Sequence, residues 1–275
     1  MAVNYATTYS KNALERFALQ SITRNVLSTD YNFVADSGKT VQLFNMTPVE
    51  LNDYTRSGLN RYGEPTEMQN TVQELACTRE RSFSFTIDGL NAIDNPAMAA
   101  GTALRVQIDQ RVTPEIDTYT LGALAAGVDT GNKVTGTPSA DNAYSLFLNL
   151  ATKLDDGLAP RTDRVAWVAS EMYQYLKLDP SFIKASDLGQ QMLVNGQVGE
   201  VDGVKIIVAP SSYMPTGVKC IMAHKNAAIQ PIRLEKYKAH VDAPGINGVL
   251  CEGLVYYDAF VLEANKAGIA VLATA

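Results

Sequence analysis

The stretch PSFIKASDLGQQMLVNGQVGEVDGVKIIVAPSSYMP, Pro180 to Pro215, with HVDAPGINGVLCEGLVYYDAFVL, His240 to Leu262, decides how this chain is read. Its chemistry is quiet. Apolar residues arrive in short runs set off by Gly, Pro and Asp, as in the buried strands of a mixed sheet. Val204–Ala209 (VKIIVA) is one such run, and Leu254 to Leu262 is another.

Reading outward, Arg164–Ala169 (RVAWVA), Lys219–His224 (KCIMAH) and Ile269–Leu272 add three strands. Ser170 is placed to cap a helix carrying Met172, Tyr173 and Leu176. Asp141 to Leu154 forms a second amphipathic helix, with Tyr144, Phe147, Leu148 and Leu150 on its stripe. Gly127 to Ser139 is a glycine-threonine loop. Before it runs a long helix, with Asp94 or Asn95 as cap and Pro96 at its first position. Leu104, Ile108, Val112 and Ile116 recur every four residues and Tyr119 continues the stripe. Pro114 deletes a backbone hydrogen bond, which predicts a kink or a restart with Thr113 as a new cap.

The first third is more polar. Lys11 to Val26 has a helical stripe of Leu14, Phe17, Ala18, Ser21 and Ile22. Residues 38 to 48 alternate weakly and residues 75 to 87 alternate clearly, with the polar stretch Asn52 to Asn70 between them. This predicts a long two-stranded excursion. A lone hairpin is marginal in water and needs something to lie on, either its own domain or another molecule. Hairpin, long helix, then mixed helix and strand argue for an α+β fold.

The 275 residues are 46% apolar and only 19% charged, below the usual quarter or so. A formal net charge of −6, with no basic stripe, argues against tight nucleic-acid binding. Cys77, Cys220 and Cys251 are odd in number and widely spaced, so no disulfide framework is expected. The apolar runs are too short for a membrane span, and the chain is expected to be soluble and cytosolic when made.

Enzyme motifs fail one by one. Ser37-Gly38-Lys39-Thr40 has the tail of a phosphate loop, but Phe33 stands where its first glycine belongs. Cys220 and His224 share a strand face without enough further ligands for a metal. Asp155-Asp156-Gly157 does not fit the calcium-loop spacing. His240 and Asp242 could form a dyad, and a small hydrolase is therefore a rival reading, but no nucleophile accompanies them. No catalytic residue, cofactor or metal is expected.

The order of elements and three phrases in particular resemble tailed-bacteriophage major capsid proteins of the Hong Kong 97 fold. The phrases are RVTPEIDTYTLGALA (Arg111–Ala125), RVAWVASEMYQYLKLDPSFIKASD (Arg164–Asp187) and VGEVDGVKIIVAPSSYMP (Val198–Pro215). The resemblance implies an N-terminal arm over residues 1–36 and an extended loop over 37–87. It implies a peripheral domain with a long spine helix over 88–139 and 246–275, and an axial domain over 140–245. The implied function is a shell protein that self-assembles, as pentamers and hexamers, into an icosahedral capsid around double-stranded DNA without sequence-specific binding. Location in the virion follows, after assembly in the host cytoplasm. An encapsulin-like compartment of the same fold is the alternative.

Further partners are expected from the same resemblance. Only a short arm precedes the loop, so a separate scaffolding protein is expected; a portal and decoration proteins are the other partners it allows. Some relatives cross-link a loop Lys to an Asn, but Leu51 to Thr71 contains no Lys, so no such cross-link is expected. Contacts between subunits are expected from Arg56, Arg61, Glu64, Glu67, Arg79, Glu80 and Arg81.

Overall fold

The computed structural model describes residues 21–24, 26–33, 40–46, 48–89, 100–180, 199–241 and 243–274. In chain order it begins with strands β1 (Asn32–Phe33), β2 (Thr40–Met46), β3 (Asn70–Ala76) and β4 (Arg79–Asp88). Helix α1 (Ala100–Gln107) runs through a π-helical turn (Ile108–Val112) into α2 (Thr113–Gly127). Then come β5 (Lys133–Thr135), α3 (Ala143–Asp156), β6 (Arg164–Ala169) and α4 (Ser170–Leu178). The chain continues with β7 (Glu200–Val201), β8 (Val204–Ala209), β9 (Val218–His224) and β10 (Ala228–Ile229). It closes with β11 (Ile232–His240), β12 (Gly248–Tyr257), β13 (Phe260–Val261) and β14 (Ile269–Ala273). The mixture is α+β, as expected.

Contacts divide the chain into two units, Met1–Thr29 with Thr78–Ala275, and Asp30–Cys77. The larger unit is built on a six-stranded sheet in the order β5-β14-β9-β6-β8-β7. Every residue of β6 is buried, because both faces of the sheet are covered. Ala166 and Val168 face Phe147, Leu150 and Leu154 of α3 and Met172 and Leu176 of α4. Val165, Trp167 and Ala169 face Leu121 and Leu124 of α2, together with Ile22 and Leu27. A run apolar on both faces is what a doubly covered strand requires. Burying each large side chain stabilises the unit by about 1.5–3 kcal/mol.

A second, three-stranded antiparallel sheet has the order β11-β12-β4. Its Phe83, Val255 and Tyr257 pack on Ile116 of α2. Phe83 stands opposite Gly253 in the ladder, and its ring lies where a Cβ on Gly253 would be, so that pairing depends on the missing side chain. The smaller unit is a three-stranded sheet, β1-β2-β3, whose main part is the β2–β3 hairpin with Thr40 opposite Ala76 and Met46 opposite Asn70.

Several local expectations are corrected. Ile22–Arg24 and Val26 form bends and turns rather than the end of a helix, and Ser21, Ile22 and Thr23 are committed to Asp117. The rest of that predicted helix, and the Asp94–Pro96 cap, lie outside the described residues. Thr113 does not cap: its backbone is helical (φ −59°, ψ −50°) and its N–H bonds to the Ile108 carbonyl across the π turn. The wider turn accommodates Pro114 without ending the helix. The expected stripe holds at Ile116, beside which Val112 and Tyr119 pack, and α2 also buries Asp117, Thr120, Leu121 and Leu124. Ser170 is the first helical residue of α4, with Ala169 at the cap position. The alternation over 75–87 is divided between two strands, β3 pairing with β2 and β4 with β12. Leu254 to Leu262 breaks between Tyr257 and Phe260, where the Asp258 carboxylate takes hydrogen bonds from neighbouring elements.

Candidate subunit interface

The turn that closes the hairpin unit is made by backbone geometry. Gly58 (φ 94°), Asn60 (φ 57°) and Gly63 (φ 81°) occupy the left-handed region. The Arg61 side chain donates to the Gly58 carbonyl at 3.3 Å, and the Thr55 N–H donates to the Arg61 carbonyl at 3.1 Å. Tyr54 and Tyr62 meet edge to face at 5.1 Å. Arg56, Arg61, Glu64 and Glu67 are all exposed here.

The hairpin unit also carries exposed apolar surface. Leu51 is 100% exposed, Leu59 96% and Tyr62 84%. Phe44 and Val72 are paired across the ladder and are both exposed. Of the twelve large hydrophobic side chains exposed among the described residues, nine lie between Phe44 and Val72. Such a concentration exceeds the singly scattered apolar residues of an ordinary exterior.

Arg79 and Arg81 lie on the face of β4 that carries Phe83, and both engage the subunit's own helix α2. The Arg79 guanidinium sits 4.6 Å from the Tyr119 ring centroid. Arg81 donates to Glu115 at 2.6 Å, and the Tyr257 hydroxyl donates to the same carboxylate oxygen at 2.8 Å. Burial pushes the Glu115 carboxyl up, but these two hydrogen bonds and the Arg81 charge outweigh it and hold it below its usual range. Burial, then the bond to Glu115, pushes the Tyr257 hydroxyl well above its ordinary value. Glu80 is exposed on the opposite face of β4.

Residues that no motif singled out hold the framework of the larger unit. Asp117 is fully buried and accepts from Ser21 Oγ (2.8 Å), the Ile22 N–H (3.0 Å) and Thr23 Oγ1 (2.6 Å). Trp167 Nε1 donates to the Ile22 carbonyl at 2.9 Å, and Gln230 bridges Thr23 and Thr120 at 2.7 Å each. One signal was available for Asp117: it lies three, four and seven residues from Thr120, Leu121 and Leu124, on a helical stripe.

No group of three or more metal-ligating side chains occurs among the described residues, and no helix among them is long and apolar enough to cross a membrane. Cys220 is enclosed, which pushes its thiol far above the ordinary value. His224 Nδ1 accepts from the Asn226 N–H at 3.2 Å. His240 lies 3.5 Å from Glu252, and Asp242 lies outside the described residues.

The family described as "Phage capsid protein" matches residues 78–262. Among solved structures, this fold is similar to one titled "Mycobacterium phage Che8" (20% identity, 97% of this chain and 96% of that one, TM-score 0.74). It is also similar to "Capsid structure of the Cyanophage P-SCSP1u" (14% identity, 98% and 93%, TM-score 0.71). A third is "Asymmetric unit of bacteriophage PhiM1 mature capsid" (10% identity, 98% and 92%, TM-score 0.69). Among curated protein sequences, none matches.

Proposed function

This chain belongs to the phage capsid protein family; from that premise we propose that it is a major capsid protein of a tailed-phage virion and that residues 37–87, most of them in the Asp30–Cys77 unit, are the extended loop by which one subunit grips the next. The exposed apolar surface between Phe44 and Val72 carries this reading. Left in water it costs free energy in proportion to its area, and a neighbouring subunit removes it from water. Arg56, Arg61, Glu64 and Glu67 then supply polar contacts around that surface, and Glu80 supplies one from the start of β4. Arg79 and Arg81 act at the root of the loop, where they also brace α2.

The domain plan follows from the same reading. Residues 1–36 serve as the arm, 37–87 as the loop, 88–139 with 246–275 as the peripheral domain and 140–245 as the axial domain. Copies assemble as pentamers and hexamers, each contact weak and the closed array strong. A separate scaffolding protein, a portal and decoration proteins are the other partners. DNA is enclosed without sequence-specific binding, which the net charge of −6 supports. The role is structural rather than enzymatic. Deleting residues 52–70 is expected to leave a folded subunit by circular dichroism and to abolish shells. Normal shells from that variant would refute the loop assignment.

A further inference from the structure

We propose that the outer edge of β4 is a strand-addition site that takes an extended segment of a second copy of this chain. β4 pairs with β12 over ten consecutive positions without a register shift. The ladder runs on past the strand end, where the Gly89 N–H donates to the Asn247 carbonyl at 2.7 Å. Backbone groups alternate direction along a strand. Phe83, Phe85 and Ile87 therefore share the direction of Gly89, toward β12. Ser82, Ser84 and Thr86 turn their N–H and C=O groups outward, and no strand flanks them among the described residues. Three donors and three acceptors stand in a row.

Other edges of the larger unit are guarded against pairing. The six-stranded sheet ends in β5, three residues long, and β7, two residues long. The far edge of the smaller sheet, β11, has a register shift between Leu234 and Lys236 and carries Arg233 and Lys238. Short strands, bulges and basic residues are the usual protections. Ser82–Ile87 (SFSFTI) has no Lys, no Pro and no bulge, and its alternation suits a strand. An edge this long and regular is a ready template for pairing with another chain.

The occupant is a second copy because β4 continues directly from the hairpin unit proposed above to make subunit contacts, with only Cys77 and Thr78 between β3 and β4. Main-chain pairing supplies affinity, and the hydroxyl side chains of Ser82, Ser84 and Thr86 leave the approach uncrowded.

The inference rests on the shell reading, and residue-resolved hydrogen exchange separates the two. Shells are assembled from the purified chain, with its scaffolding protein if one is needed and then removed. The Ser82, Ser84 and Thr86 amides are expected to exchange freely in unassembled subunits and at least about tenfold more slowly in shells, while Phe83 and Phe85 are protected in both. Equal exchange of the three outward amides in the two states would overturn the strand-addition site and leave the capsid reading intact. Ser84→Pro removes one outward donor and no bond to β12. It is expected to leave the free subunit folded and to lower shell yield at least about tenfold; wild-type yield from a folded Ser84→Pro subunit would also overturn the site.

Discussion

Thr78 is held by Asp258 through two atoms at once: its N–H donates to the carboxylate at 2.8 Å and its hydroxyl to the same oxygen at 3.0 Å. The other oxygen accepts from the Tyr119 hydroxyl and the Ala259 N–H, both at 2.8 Å. Asp258 is 3% exposed. One buried carboxylate thus ties Thr78, the first residue after the hairpin unit, to the spine helix and to the strand pair behind it. Asp258→Ala leaves these donors without an acceptor, and each unmet buried group costs about 1–3 kcal/mol. A loss of roughly 3 kcal/mol in urea unfolding is expected, against about 1 kcal/mol for Thr78→Val, which keeps the backbone bond. Equal stability of Asp258→Ala and wild type would refute the tie.

Asp117 does the same work for residues 21–23, supplying the acceptor for two hydroxyls and one N–H. Asp117→Ala should free this segment and expose the bond after Arg24 to trypsin. Cleavage there is expected to quicken at least about tenfold, since proteolysis follows the population of the opened form. Unchanged cleavage would mean that Ile22 and Leu27 hold the segment by packing alone.

Gly248 lies at φ +149°, and a Cβ there would meet the Ile87 carbonyl and the Gly89 nitrogen. Both obstacles are backbone and cannot rotate away. Gly248→Ala is expected to destabilise the β4–β12 ladder by about 1–3 kcal/mol, seen as a lower melting temperature with faster exchange at Ile87. A neutral substitution would show that the ladder is not strained by a side chain there.

Acid should loosen the contact between β4 and α2. The Glu115 carboxyl is held below its ordinary value of 4.5, so its contribution to stability is complete above that pH and is lost as the pH falls below it. Glu115→Gln is expected to flatten this part of the stability profile. A variant that loses stability between pH 5 and pH 3 as wild type does would remove Glu115 from the account.

The centre of the larger unit was legible because its strands are largely buried. RVAWVA and VKIIVA are short, apolar and bounded by loop residues, and β6 and β8 follow them residue for residue. The hairpin was harder. β3 (NTVQELA) is mostly exposed and carries little alternation, so its pairing with β2 is written in partner geometry rather than in its own pattern. The spine helix and its stripe through Val112, Ile116 and Tyr119 were legible, since Val112 and Tyr119 pack beside the buried Ile116; the π turn left no mark in composition. Arg79 and Arg81 were legible as charges on a strand; that they turn to Tyr119 and Glu115 depends on a helix more than thirty residues away. Asp258, far from Thr78 in sequence, gave no signal of its own.

Electron microscopy of the purified, assembled chain tests the central claim most directly. Closed polyhedral shells of uniform diameter are predicted from the wild type, and none from the chain lacking residues 52–70. A wild-type chain that stays monomeric even when co-expressed with its scaffolding protein would contradict the account.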